Sequence, residues 1–530
     1  MLASQSLIVK KQKLLGTAAL CTALSCGAQS VVFDETFSLD GSLTMNLGSS
    51  AGVPKSLVLQ PDGRILLAGT TTPAGQHRTI SIVRLNADGS LDTSFDLDGK
   101  VEINTMPLNL VEWYDEAGYA ALQPDGKLVL AGNAGPGFTG HDYLIMRVNA
   151  DGSIDEGFGD AGWTTTDVED VHNVAQGMTV LPDGKILVLG EGAIDDNRHV
   201  LLRYDQNGIL DSTFGTGGMV MSPPTSFIRE SYAMTVDDNG MIIVAASERT
   251  SGISDYYLSL YRYTSEGQLD SSFDGDGIWL CPRPSANIVQ VKALWIDGEG
   301  KYCSAGRATY DSLMTVRVDP GGSLDPTYGI GGVGMFRPDF FLAESAIQDV
   351  DGSMIVVGSS FSNAALMRLT ADGDLDVDFG DGGVAVQNPI GAMLQGNYML
   401  MRVDAGQRWV LAGRCPVSGL GDQTAVVRFM GNDATFIPRY GPPQGLRIRP
   451  NPATSEIRIK AGVTGWGPSD IRIFSSDGAI ASARIIPEAT PDLESDDLKL
   501  DVSTLPAGLY TVVARHGEHH LVGRVAVVPR

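Results

Sequence analysis

The stretch RLNADGSLDTSFDLDG, Arg84 to Gly99, places four aspartates among turn residues between two apolar runs. Carboxylates at this density suggest a calcium loop, but an EF-hand loop needs a glycine at position six and a glutamate at position twelve, and no frame supplies both. A similar string recurs later in the chain, where Gly215 and Gly329 replace Asp96 while the closing glycine is always kept. The pattern therefore favours a turn scaffold. Calcium stays open as an alternative, and no other cofactor is indicated.

The recurring string has a fixed spacing: Arg, four residues, Gly, two residues, Asp, two residues, an aromatic residue, three residues and Gly. Six copies occur, 51 to 63 residues apart. Their charged pairs are Arg84 and Asp92, Arg147 and Asp155, Arg203 and Asp211, Arg262 and Asp270, Arg317 and Asp325, and Arg368 and Asp376. We predict that each aspartate binds backbone amides or the arginine of its own repeat, which makes the motif structural.

Two further groups resemble catalytic or metal sites. Ser50 lies in GSSAG, but a nucleophile elbow needs a strand before the serine and a helix after it, and no helical pattern follows. His516, His519 and His520 are spaced closely enough to converge on a metal, yet they fall at a predicted hairpin turn. We interpret Ser50 as a loop residue and the histidines as solvated turn residues, so no catalytic or metal-binding residue is predicted.

A second signal precedes each copy: an apolar run, a turn such as Pro-Asp-Gly, and another apolar run. Seven such hairpins occur, and each unit contains four strands. Four strands every 50 to 60 residues predict an all-β fold, a seven-bladed β-propeller over residues 29–436. The seventh unit has Arg428 but lacks the rest of the motif, whereas Asp34, Phe37 and Gly41 supply the missing part near the N-terminus. The strand at 42–46 should therefore complete the last blade and close the ring.

Function is expected on the face that varies between repeats. The first-to-second and third-to-fourth connections share one face and carry the repeated turns, while the second-to-third and blade-to-blade loops form the other and differ in every copy. Trp113, Tyr114, Phe340 and Phe341 lie in such loops and are the candidate ligand-binding residues, since exposed aromatic rings stack on sugars or anchor protein partners. Packing of these rings between adjacent blades is the alternative.

The chain has 530 residues and a formal net charge of -25, which disfavours nucleic acid and anionic membranes as partners. Lysines followed by a short apolar run predict a secretory signal peptide over residues 1–28, and lipid attachment at Cys26 is the alternative. No transmembrane segment is predicted. The remaining cysteines, Cys281, Cys303 and Cys415, do not form a disulfide framework, and their state is not readable from the sequence.

The tail differs in composition from the propeller. A Pro/Gly linker at 437–445 precedes about 85 residues, 446–530, whose alternating pattern predicts a small β-sandwich. PNPAT at 450–454, IRIFSSDG, and LPAGLY at 505–510 resemble the C-terminal sorting domain of type IX secretion cargo, although Arg449 stands where an aromatic residue is common. The repeats resemble the delta-60 repeat propellers, which implies the fold and no particular chemistry.

These observations predict a protein that is secreted or attached to the outer cell surface. The resemblance of the tail implies the type IX machinery as one partner. The propeller is expected to bind an extracellular carbohydrate or protein through its variable face. A hydrolase or lyase acting on an extracellular polysaccharide, and a structural surface component, are the alternatives. An enzymatic activity is the less favoured interpretation.

Overall fold

The computed structural model describes residues 32–430, except 73–77, 105–112, 137–140, 169–172, 192–197, 225–226, 251–255, 283–287, 309–311, 338–340, 350, 361–362, 388–399, 405–407 and 418–420. In the tail it describes 447–449, 456–460, 470–475, 480–481, 484–486, 497–505, 508–516 and 519–527. The predicted signal peptide and the linker at 437–445 lie outside these residues, as do most of the second-to-third loops.

The described residues of the propeller contain twenty-eight strands, which form seven four-stranded antiparallel sheets. In chain order they are β1 (Ser42–Met45), β2 (Gly52–Leu59), β3 (Ile65–Thr71), β4 (Thr79–Leu85), β5 (Lys100–Ile103), β6 (Trp113–Leu122), β7 (Leu128–Pro136), β8 (Asp142–Val148), β9 (Trp163–Thr166), β10 (Val174–Val180), β11 (Ile186–Glu191), β12 (His199–Tyr204), β13 (Met219–Met221), β14 (Phe227–Val236), β15 (Ile242–Thr250), β16 (Tyr256–Tyr263), β17 (Ile278–Leu280), β18 (Ile288–Ile296), β19 (Tyr302–Ala308), β20 (Ser312–Val318), β21 (Val333–Phe336), β22 (Phe341–Gln348), β23 (Met354–Ser360), β24 (Asn363–Leu369), β25 (Val384–Gln387), β26 (Leu400–Val403), β27 (Trp409–Val417) and β28 (Gly421–Phe429).

The first strand of each blade is the innermost one. Strands β2, β6, β10, β14, β18, β22 and β26 contact one another in sequence, and β26 contacts β2, so they form a closed ring around a central channel. Many residues of these strands are half-buried because they border the channel, whereas β4 is buried throughout between its neighbours. The seven-bladed propeller is thus confirmed.

The core lies between the blades. Leu66 and Ile82 of the first blade, for example, pack in one cluster with Leu130 and Met146 of the second. Each blade can present an apolar face to both neighbours because β-strand side chains alternate between the two faces of a sheet. The Asp-Gly turns permit the tight hairpins: Gly63 has φ 85, a conformation that glycine adopts without steric cost.

The N-terminal strand closes the ring, as predicted. β1 pairs antiparallel with β28, with Ser42 opposite Val427 and Met45 opposite Thr424. The last blade therefore has the order β26, β27, β28, β1, and its outermost strand comes from the other end of the propeller sequence. This pairing covers the edge that β28 would otherwise expose.

The described part of the tail forms two further four-stranded antiparallel sheets. Their strands are β29 (Arg447–Arg449), β30 (Glu456–Lys460), β31 (Asp470–Ser475), β32 (Ile480–Ala481), β33 (Arg484–Ile486), β34 (Asp497–Asp501), β35 (Gly508–His516) and β36 (His519–Val527). One sheet has the order β29, β30, β34, β33 and the other β32, β31, β35, β36. The packing of the two sheets as a sandwich stays a prediction. Among the described residues, no helix is long and apolar enough to cross a membrane.

Candidate functional site

The repeated motif forms what we call the clamp of each blade, made of the motif arginine, aspartate and aromatic residue. In the first blade, Arg84 Nε donates to Asp92 Oδ2 at 2.7 Å, and the guanidinium lies over the Phe95 ring at 4.6 Å. Asp92 Oδ1 accepts hydrogen bonds from the Ser94 amide and hydroxyl at 3.0 and 2.7 Å. Both carboxylate oxygens are therefore used within the turn.

The same pairing occurs in the other copies. The arginine-to-aspartate distances are 2.6 Å for Arg147 and Asp155, 2.9 Å for Arg203 and Asp211, 2.8 Å for Arg262 and Asp270, 2.7 Å for Arg317 and Asp325, and 3.1 Å for Arg368 and Asp376. At the ring closure, Arg428 Nε donates to Asp34 Oδ2 at 2.7 Å and the guanidinium lies 4.9 Å from the centroid of Phe37. The N-terminal segment thus rebuilds the seventh clamp across the closure.

Six of the seven clamps also join two blades, a contact that sequence reasoning missed. The arginine Nη1 donates to a backbone carbonyl in the next blade in Arg84 to Ala150, Arg147 to Gln206, Arg203 to Ser265, Arg262 to Pro320, Arg317 to Ala371 and Arg428 to Ala87. The acceptor always lies in the third-to-fourth turn of that blade. Fixed spacing within a repeat indicates which residues meet inside a blade but not which atoms they reach in its neighbour.

A glycine of the motif is required by this junction. Gly208 has φ 83, and a Cβ there would lie 2.7 Å from the ring of Phe158 in the preceding blade. Gly89, Gly267 and Gly373 meet Phe37, Phe214 and Tyr328 in the same way. The glycine therefore provides both a left-handed turn and the space for the neighbouring aromatic ring.

In six of the clamps the pKa of the aspartate is lowered, so these six carboxylates are charged at neutral pH. In Asp211, hydrogen bonds from Thr213 are the largest influence, and with Lys185 and Arg203 they lower the pKa against the opposing effect of burial. For the others, burial is the largest single influence and raises the pKa, but hydrogen bonds and neighbouring cationic charges together outweigh it. The pKa is consequently lowered in Asp34, Asp92, Asp155, Asp270 and Asp325.

Three of the four aspartates of the opening stretch, Asp88, Asp92 and Asp98, thus use their carboxylates within the scaffold. Asp98 Oδ1 accepts a hydrogen bond from the Lys100 amide at 2.9 Å, and Asp88 Oδ1 accepts one from the Ser90 amide at 3.0 Å. Within the described residues, no group of three or more His, Cys, Asp or Glu side chains is arranged to hold a metal ion. The clamp arginines are also at most 9 % exposed. This face, which we call the turn face, is consequently occupied by the scaffold's own contacts.

The two sets of repeated turns share the turn face. Lys127, in the first hairpin of its blade, binds Asp155 of the third-to-fourth turn at 2.8 Å, and Lys301 binds Asp325 at the same distance. The opposite face, which we call the variable face, lies where the second strand of each blade ends and the third strand begins. The starting ends of the innermost strands point to it.

The predicted aromatic residues are placed differently from expectation. Trp113 and Tyr114 are not loop residues: they begin β6 and pair with Pro136 and Gly135 of β7. Phe341 likewise begins β22 opposite Ser360, while Phe340 lies outside the described residues. The loop assignment was wrong for these three because β7 and β23 extend far enough to hydrogen-bond the preceding part of the innermost strand. They remain at its variable-face end.

Ser50 lies in a bend before β2, and its hydroxyl donates to Ala51 O at 3.4 Å. A strand follows where a nucleophile elbow needs a helix. His516 and His519 pair across the turn between β35 and β36, the predicted hairpin. Cys281, Cys303 and Cys415 are buried and form no disulfide among the described residues, and burial raises the pKa of the Cys303 thiol strongly.

Six of the seven innermost strands carry a β-bulge in the same region of the strand, which we call the bulge level. Each bulge interrupts the pairing between the first and second strands of its blade, near the variable-face end of the first strand. The residues at the interruption are Lys55, Gly118, Gln176, Glu230, Lys292 and Glu344. Bulges redirect side chains and concentrate beside functional sites. Sequence reasoning did not find this level because a single inserted residue leaves no mark in a short apolar strand.

Charged groups meet at the bulge level between the fifth and sixth blades. Lys292 Nζ lies 3.2 Å from Glu344 Oε2, Arg307 Nη2 donates to Glu344 Oε1, and Arg307 Nε donates to Ala343 O at 3.0 Å. Burial lowers the pKa of Lys292, and Arg307 adds to this effect while Glu344 opposes it. Two cations thus surround one carboxylate, an arrangement that can bind a polar ligand.

In the third blade, Gln176 Nε2 donates to Glu191 Oε1 at 2.7 Å, and burial raises the pKa of Glu191. A groove of about 580 Å³ also lies between β9 and the third-to-fourth turn of the third blade. Its Thr164 hydroxyl donates to Gly208 O at 2.8 Å and its Thr166 hydroxyl accepts from Tyr204 at 2.7 Å. These hydroxyls already join the two blades, so the bulge level is the better candidate.

These features define a closed repeat β-propeller followed by a separate tail. Two family models match segments of the chain. The domain of unknown function DUF5122 β-propeller matches residues 60–95, 123–158, 181–214 and 351–379, and the secretion system C-terminal sorting domain matches 447–528. The chain carries DUF5122 propeller repeats and a type IX sorting domain, so it is secreted by that system and is attached to the cell surface or released. No curated protein matches its sequence.

Similar solved structures are remote in sequence. A protein of unknown function from Dyadobacter fermentans DSM 18053 is 12% identical, with 73% of this chain and 97% of that chain covered and a TM-score of 0.34. The β-propeller domain of the Trilobed protease from Pyrococcus furiosus is 10% identical, with 71% and 93% covered and a TM-score of 0.37. An endo-arabinase from Bacteroides thetaiotaomicron is 10% identical, with 49% and 94% covered and a TM-score of 0.29. These similarities carry no argument about function.

Proposed function

We propose that this secreted propeller binds an extracellular carbohydrate through the variable-face mouth of its channel. The observation that carries the proposal is the contrast between the two faces. On the turn face the clamps are buried and bind their own scaffold, whereas the bulge level gathers partly exposed charged and amide groups next to the channel. A rigid ring that presents polar groups in a concavity is typical of ligand-binding sites.

The aromatic residues support a sugar as the ligand. Trp113, Tyr114 and Phe341 occupy the variable-face ends of two innermost strands, close along the chain to the bulge positions Gly118 and Glu344. Aromatic rings beside polar groups offer stacking surfaces and hydrogen bonds together, the combination that pyranose rings require. A protein partner would use the same aromatic residues as anchors. The experiments below distinguish a protein partner from a carbohydrate.

A hydrolase or lyase is the second candidate. Its support is Glu191, because a carboxyl group with a raised pKa suits a general acid. Glycoside hydrolysis also needs a second carboxylate at a defined separation. Release of reducing ends or unsaturated products from cell-surface polysaccharide, lost in Glu191→Gln, would favour this candidate over binding alone.

The test of binding is to replace Trp113 and Tyr114 together with alanine and to measure both the melting temperature and retention on immobilised extracellular polysaccharide. We expect retention to fall while the melting temperature is kept. Leu97→Ala is the matched control, since it removes an apolar side chain that is 90% exposed on the turn face. A lower melting temperature with unchanged retention would mean that these residues pack between blades.

A further inference from the structure

The cluster of Lys292, Arg307 and Glu344 carries an excess of positive charge. Glu344 is almost fully buried, with a side chain 1% exposed, while Lys292 and Arg307 are 18% and 19% exposed. Among the described residues, Glu344 is the one carboxylate within ion-pair distance of either cation. Two cations and one anion leave one positive charge in a partly desolvated site.

Among the described residues, the two cations have more hydrogen-bond donors than acceptors. The Lys292 ammonium has three donors, of which the contact with Glu344 uses one. Arg307 uses Nε toward Ala343 O and Nη2 toward Glu344, which leaves Nη1. A partly buried cation is costly unless an anion pairs with it. An arginine and a lysine side by side are suited to the two oxygens of a carboxylate.

We propose that this cluster binds the carboxylate of an acidic sugar residue in a polysaccharide held at the variable face. The inference rests on the proposed function and narrows its ligand to uronate-containing chains. The chain's formal charge of -25 repels anions at long range, but screening confines that repulsion to about 8 to 10 Å at physiological salt, so a short acidic oligosaccharide can reach the cluster.

The experiment is calorimetric titration of the full chain with trigalacturonate and with neutral galactotriose. We expect trigalacturonate to bind about tenfold tighter or more, which corresponds to one charge-assisted hydrogen bond. Lys292→Gln keeps a donor for Glu344 but removes the charge, and it should lose that preference. Arg414→Gln is the matched control: it removes one positive charge from a partly exposed pair with Asp422, near the variable-face end of β27, and should leave the preference intact.

Removal of the negative charge of the cluster completes the test. Glu344→Gln removes the competing carboxylate, so trigalacturonate should bind tighter; if this variant melts far lower, Lys292→Gln at unchanged melting temperature decides the question. Equal loss in Lys292→Gln and Arg414→Gln would overturn the inference. Equal affinity for trigalacturonate and galactotriose would overturn the inference but would still agree with the proposed carbohydrate binding. If neither trisaccharide binds, the result counts against the inference and against the proposed function. Tighter binding of a glutamate-rich peptide would reassign the site to a protein partner and overturn the inference.

Discussion

Asp34→Ala tests the closure of the ring. The Asp34 carboxylate accepts hydrogen bonds from Arg428 Nε at 2.7 Å, from Arg408 Nη1 at 3.2 Å and from the Thr36 amide at 3.0 Å. Arg428 is 1% exposed, so the substitution leaves a buried guanidinium without its carboxylate partner. Removing one partner of a buried ion pair typically costs about 3 to 5 kcal/mol. We expect the free energy of unfolding in urea to fall by about that amount.

Asp211→Ala is the matched control because it breaks the same clamp in the third blade. There the arginine and aspartate are eight residues apart, whereas Asp34 and Arg428 are separated by 394 residues and meet only when the ring closes. Both variants should lose similar stability, but only Asp34→Ala should expose the N-terminal segment, residues 32–46, to limited proteolysis under native conditions. A loss below about 1 kcal/mol, or identical cleavage of both variants, would refute the reasoning.

Acid should lower the melting temperature of the propeller, because the pKa of clamp aspartates such as Asp211 and Asp325 is lower in the folded than in the unfolded chain. Their ionised carboxylates stabilise the fold above the unfolded-state pKa near 4, and this stabilisation is lost as the pH falls below it. An unchanged melting temperature between about pH 5 and pH 2.5 would contradict this prediction. Gly208→Ala should lower the free energy of unfolding in urea by about 1 to 3 kcal/mol more than Gly217→Ala, because both glycines have positive φ but only Gly208 faces the Phe158 ring. Equal decreases in the two variants would show that the Phe158 ring moves aside without cost. Deleting residues 446–530 should retain the propeller's melting transition but prevent export in a host with type IX secretion, and normal export would contradict the role of the tail.

The sequence determined the architecture because its signals are local and repeated. An Asp-Gly turn between β-prone runs forms a hairpin wherever it occurs, and seven such hairpins predict seven blades. The missing half of the seventh motif, found at Asp34 and Phe37, predicted the closure that β1 and β28 make. The pairing of each motif aspartate with its own arginine also followed from spacing within one turn. The tail was identifiable because its motifs are contiguous in the chain.

Only the tertiary structure decided where polar groups meet across blades. Six clamp arginines, such as Arg203, reach carbonyls in the next blade, and Lys292 and Arg307 meet Glu344 from a separate sheet. Trp113 and Tyr114 became strand residues because β7 extends alongside them. Such contacts join segments about 50 residues apart, and their geometry depends on the angle and register between packed sheets and on single-residue bulges. Periodicity along one strand encodes neither, because it records which face a side chain occupies and not which atom of the neighbouring blade lies opposite.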